Sequence, residues 1–221
     1  MRTIFIAELA QLGDDLVTMS RLVETAVSTA GTALLTADLT LAESVIAADA
    51  QIDALEGQID ERCIQILVKQ QPVARDLRIV VTALRMTASL ERMGDLARHI
   101  AEVARLRYPA TAVPEQMVHT FAQMVDAAVR VARRTTTLLE THDLELAAQI
   151  EADDDTLDNL HAKTFTSVLE PAWGGAPQEV IDVTLVGRYL ERFGDHAVSI
   201  ARRTTARRIT RGPADRRRGP S

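Results

Sequence analysis

Leu90-Glu91-Arg92-Met93-Gly94-Asp95-Leu96-Ala97 returns further along the chain as Leu190-Glu191-Arg192-Phe193-Gly194-Asp195-His196-Ala197, at an offset of 100 residues. A second match, Asp49-Ala50-Gln51-Ile52-Asp53-Ala54-Leu55 against Asp154-Asp155-Thr156-Leu157-Asp158-Asn159-Leu160, has an offset of 105. Self-similarity of this kind marks a duplicated structural unit. The change in offset falls between the two matches, so it locates a differently built helix connection in the second copy.

Working outward from these segments, the chain reads as helix throughout. Phe5, Leu9, Leu12, Leu16, Met19, Val23, Ala26 and Ala30 recur at steps of three and four, the pattern of an amphipathic helix, expected over about 4–37. Asp38 and Thr40 form a polar break with an N-cap candidate. A second helix follows from Leu41, with Val45, Ile52, Leu55, Ile59 and Ile66 on its apolar side. It ends at Gln70-Gln71-Pro72, because a residue before proline is pushed out of the helical region. The third is expected to start at Pro72 or Val73 and to stop before Pro109. Tyr108–Pro114, with two prolines and no periodicity, reads as a junction. Three more helices are expected over about 115–142, 143–170 and 177–208. The fold class is therefore all-α, two repeated three-helix bundles over 1–109 and 110–207 with an Arg-rich disordered tail over 208–221.

The composition fits this. Hydrophobic residues make up 47% of the 221 and aromatics only 3%, which suits helices packed through Ala, Leu and Val better than a β-sandwich. Cys63 is the only cysteine and sits in an apolar helical context, so it reads as a core residue in a reducing compartment. Glu8 interrupts the apolar start that a signal peptide needs, and no run of 18 apolar residues occurs, so a cytoplasmic protein is expected. The net charge of −6 is uneven: residues 202–221 hold eight Arg against one Asp. Such a tail could meet an anionic lipid surface or nucleic acid, but charge runs are usually solvated ends, and no specific nucleic-acid partner is expected.

Four acidic pairs share one form: Asp49/Asp53, Glu91/Asp95, Asp154/Asp158 and Glu191/Asp195. A spacing of four puts both carboxylates on one helix face, where like charges cost about 0.2–0.5 kcal/mol and a cation would reverse the sign. Asp53 and Glu91 lie nearly equally far from the turn at Gln71-Pro72, and Asp158 and Glu191 nearly equally far from Gly174. Each set of four acids is thus level on two antiparallel neighbours. Oxygen ligands favour magnesium, calcium, manganese or iron over zinc. Gly94 and Gly194, between the paired acids, imply either room for an ion or close helix packing. The competing reading is that these acids face solvent and pair with Arg92, Arg192, Arg75 or Arg78. A di-iron bundle enzyme needs paired Glu-x-x-His motifs. The chain offers only Asp158-x-x-His161, and His161 reads as a surface residue beside the cluster. His99, His119, His142 and His196 form no repeated ligand spacing.

The doubled Leu-Glu-Arg-x-Gly-Asp motif, with Pro72-Val73-Ala74-Arg75-Asp76-Leu77-Arg78 and the Phe5, Glu8, Leu9, Leu12 and Met19 pattern, resembles the PhoU family over about residues 2–205. The resemblance implies multinuclear metal clusters, iron or zinc, with manganese or magnesium as alternatives. They would be held through Asp49, Asp53, Glu91, Asp95, Asp154, Asp158, Glu191 and Asp195. It implies a regulator, not an enzyme, that links the ATPase subunit of the phosphate ABC transporter to a phosphate-sensing histidine kinase and represses the starvation response when phosphate is plentiful. A homodimer and peripheral membrane association through those partners are also expected. The alternative is a carboxylate-bridged multimetal hydrolase or oxidase.

Overall fold

The computed structural model describes residues 2–209, with side chains described over 4–205. Six α-helices account for the described chain: α1 (Arg2–Thr36), α2 (Leu39–Gln70), α3 (Arg75–Arg107), α4 (Val118–Thr141), α5 (Glu145–Leu169) and α6 (Pro177–Ile209), with a 3-10 turn at Glu115–Met117 before α4. The all-α reading holds. The differences are at the ends, and each has a local cause. Ala37 is left-handed and closes α1, and Asp38 then caps α2 by accepting the Leu41 N–H at 2.9 Å. Gln71 is left-handed as well, returning its N–H to the Leu67 carbonyl. Ala74 also has a positive φ, which delays α3 to Arg75 instead of Pro72. His142 terminates α4 in the same way, and the Asp143 carboxylate accepts the Glu145 N–H at the start of α5. α6 runs to Ile209, two residues into the expected tail; residues 210–221 of that tail lie outside the described residues.

Each repeat forms a three-helix unit, α1–α3 and α4–α6, and the units join through like helices. α1 packs on α4, and α3 on α6. Both pairs are antiparallel: Ser20 meets Thr136 at 2.9 Å and Arg133 meets Glu24 at 3.4 Å across α1 and α4, while Arg203 reaches Ser89 at one end of α3/α6 and Arg107 bonds Asp182 at 2.6 Å at the other. The arrangement is that of an approximate two-fold axis relating the two repeats. One hydrophobic core runs through both, from Met19, Val23 and Ala30 to Phe121, Met124 and Val131. Gly31 permits the closest part of this seam: a Cβ there would overlap the Val125 side chain. The junction is part of the same core, because Ala112, Val113 and Met117 are buried. No described helix is long and apolar enough to cross a membrane.

Candidate metal centres

The glycines between the paired acids set how closely the acid-bearing helices approach. A Cβ on Gly94 would stand 2.9 Å from Ile52 Cδ1 and 3.7 Å from Asp49 Oδ1. A Cβ on Gly194 would overlap Asp154 Oδ1 and stand 2.9 Å from Leu157 Cδ1. Close packing alone therefore accounts for both glycines, and it brings the facing acid of the neighbouring helix against each one.

The first centre lies between α2 and α3. Asp49, Glu91 and Asp95 are half-buried, and Asp53 is exposed. Arginines occupy the three half-buried carboxylates. Arg98 bonds Asp49 Oδ2 at 2.6 Å, Asp95 Oδ1 at 2.7 Å and Glu102 Oε1 at 2.8 Å. Arg92 takes Asp95 Oδ2 at 2.9 Å and Glu91 Oε2 at 3.3 Å. Of the arginines named from sequence Arg92 pairs with these acids, but Arg98 dominates. Its signal was the spacing of three from Asp95, which puts it on the same helix face. Glu56, one turn beyond Asp53, also belongs to this charge cluster; burial first, then Asp60 and Asp53, raise its carboxyl. Glu91 is pushed up to about 7 by burial and then by Asp95. Burial acts upward on Asp95 too, but the Arg98 hydrogen bond and charge outweigh it and hold the carboxyl low. Asp49 stays raised by burial although Arg98 offsets part of it.

The second centre, between α5 and α6, has the same acids and different company. Asp154 and Glu191 are half-buried, while Asp158 and Asp195 are exposed. Arg188 pairs with Glu191 Oε1. Asp154 Oδ1, Glu191 Oε2 and His161 Nε2 are buried with no hydrogen-bond partner. Half of the orphaned polar atoms among the described residues thus gather here, and none lies on the acids of the first centre. Burial, followed by Asp158 and Asp195, pushes the Asp154 carboxyl up to about 7. His161 corrects the surface reading: it is half-buried, its ring 4.8 Å from that of Phe165, and burial, then Arg188, holds its imidazole below the usual value. Gly187 makes room for it, since a Cβ there would come within 3.2 Å of the ring.

Among the described residues no three Asp, Glu, His or Cys side chains are arranged as a closed ligand set for a metal ion. The donors of the second centre fit a cation in chemistry, because two of its carboxylate oxygens and an imidazole nitrogen are buried with no hydrogen-bond partner. In the first, Asp49, Glu91 and Asp95 are already matched by guanidinium groups. Elsewhere, a cleft of about 560 Å³ between α1 and α4 lies away from both centres, and its charges are paired internally as Arg21–Glu140 and Arg133–Glu24. Cys63 is fully buried, and burial pushes its thiol up to about 11.

Two three-helix units, each presenting level acids from two neighbouring helices, define a duplicated carboxylate-bearing bundle. The PhoU domain pattern matches this chain over residues 16–104 and again over 121–204, once per unit. The chain belongs to the PhoU family. It is 42% identical over 203 residues to the phosphate-specific transport system accessory protein PhoU homolog 2 of Mycobacterium tuberculosis, covering 92% of this chain and 95% of that protein. Homolog 1 of Mycobacterium leprae is 40% identical, over 92% of this chain and 91% of its own length. The crystal structure of PhoU from Pseudomonas aeruginosa superposes with a TM-score of 0.82 at 29% identity, covering 93% of this chain and 99% of that one. The relatives are named as accessory proteins and not as enzymes, in agreement with the reading of the chain as a regulator.

Proposed function

We infer that the chain is an accessory regulator of phosphate transport. It acts as an adaptor between the ATPase subunit of a phosphate ABC transporter and a phosphate-sensing histidine kinase, and it represses the starvation response when phosphate is plentiful. The observation that carries this reading is the likeness to phosphate-specific transport accessory proteins along nearly the whole chain, with both acidic repeats inside the matched segments. The helical surface offers ion pairs and carboxylates for docking and ligation, and function resides in such surfaces, not in the fold itself. The protein works in the cytoplasm as a homodimer and meets the membrane through its transporter partner. Metal belongs to this reading: iron or zinc, with manganese or magnesium as alternatives. Asp154, Asp158, Glu191 and Asp195 have the donors that fit best. A bound cation would neutralise the acids and cross-link α5 to α6.

The test is co-purification of the tagged full chain with the ATPase subunit and with the kinase, combined with a phosphate-starvation reporter in a strain lacking the gene. Capture of both partners and a reporter active at high phosphate are expected. Capture of neither, with the reporter still repressed, would refute the adaptor reading.

A further inference from the structure

We propose that Arg98 is the resident cation of the first centre, so that the two repeats have diverged and metal is taken up by the second centre alone. The inference rests on the metal reading above and deepens it.

Asp49 and Asp95 are the outer carboxylates of the first centre, one from each helix. The Arg98 guanidinium bonds both, at 2.6 and 2.7 Å, and holds Glu102 with its remaining nitrogen at 2.8 Å. It cross-links α2 to α3 at the position where a metal would act. Both oxygens of Asp95 are taken, the second by Arg92. The Arg98 side chain is only 26% exposed. Arginine does not deprotonate in proteins, so this cation cannot leave by losing its charge. An incoming ion would have to displace it against like-charge repulsion and strand a largely buried guanidinium with fewer partners.

In the second repeat the residue at the position of Arg98 is Val198, buried and uncharged. The consequence is visible in the donor atoms. Asp154 Oδ1, the counterpart of the Asp49 carboxylate, has no partner, and neither does Glu191 Oε2. Arg188 holds Glu191 by the other oxygen, from a half-exposed position. His161 Nε2, also orphaned, adds a nitrogen donor that the first centre lacks, where the corresponding residue is Glu56. Arg98 thus has an uncharged repeat-mate, and the Asp49 carboxylate that it holds has a repeat-mate, Asp154, with an oxygen left open.

The experiment measures bound metal per chain. EDTA-stripped protein is reloaded with zinc or, under anaerobic conditions, with ferrous iron, dialysed to equilibrium and assayed by plasma mass spectrometry. Melting temperature with and without metal is the second readout. In wild type, Asp49→Asn with Asp95→Asn should leave bound metal unchanged, whereas Asp154→Asn with Asp195→Asn should abolish it. Val198→Arg, which copies the first centre's arginine into the second, should also abolish it. Arg98→Val should raise metal content roughly twofold, since the centres are repeat copies, and adding Asp95→Asn should remove the gain. If Arg98→Val does not fold, the Asp49/Asp95 and Val198 variants decide. Loss of metal from the Asp49/Asp95 variant, or no gain in a folded Arg98→Val protein, overturns the inference and leaves the metal reading standing. Absence of metal from every protein overturns both.

Discussion

Replacing Asp154 with asparagine should stabilise the metal-free protein at alkaline pH and leave it unchanged in acid. Asp154 has a buried oxygen without a partner and four carboxyl neighbours, and its carboxyl is pushed from 3.8 up to about 7, by burial first. The folded state therefore holds the proton more tightly than the unfolded chain. Stability is full below the unfolded value near 4, falls as pH rises towards 7, and is level above it. Taken at face value a shift of that size is about 4 kcal/mol; water reaching this half-buried group screens it, and about 1–2 kcal/mol is the expected net effect. Asparagine keeps the shape and never ionises. The variant should gain about 2–8 °C in Tm at pH 8, at about 2–4 °C per kcal/mol for a chain of this length. Near pH 4 the gain should vanish. Circular-dichroism melts in EDTA from pH 4 to 9 provide the assay. A residual slope should persist in the variant, because Glu91 is also pushed up to about 7. An equal difference at every pH, or a variant less stable at pH 8, would refute the reasoning.

Two further outcomes follow from the packing. Gly31→Ala should lower stability by about 1–3 kcal/mol, because the added methyl overlaps Val125 across the α1/α4 seam and forces that side chain or its helix to shift; thermal melts give the value. Cys63 should resist iodoacetamide at pH 8 in the native protein and react in urea, since it is fully buried and its thiol is pushed up to about 11. Fast labelling of the native protein would contradict the buried placement.

The periodicity of apolar residues and the doubled motif carried the six helices, their order and the level placement of the acids. Those depend on local spacing. The end of α2 at Gln70 was legible from Pro72, but the start of α3 moved to Arg75 where Ala74 takes a positive φ, which glycine or asparagine would have signalled and alanine does not. What spacing could not carry is which side chain reaches across a helix pair. Arg98 sits one turn beyond Asp95, as visible as any i, i+3 neighbour, but its bond to Asp49 depends on the approach that Gly94 permits. His161 looked exposed because its own helix turn is polar, and it is half-buried because Gly187 on α6 leaves space for it. The joining of the repeats was hidden for a similar reason: α1 carries an apolar stripe that serves α2, α3 and α4 together.

The antiparallel pairing of α1 with α4 and of α3 with α6 has a consequence for how this molecule can change over time. A symmetric dimer of a single three-helix unit would carry every substitution twice, so an arginine that silenced one acidic centre would silence both. Joining the copies in one chain around one core removes that constraint. The copies share one core, while the arginines that pair with each acidic centre come from its own copy. Arg98 and Val198 are separate positions, so a change at Arg98 alters the cation of one acidic centre and leaves its repeat-mate as it was. Fusion made the core common property and left the chemistry of each surface free to drift.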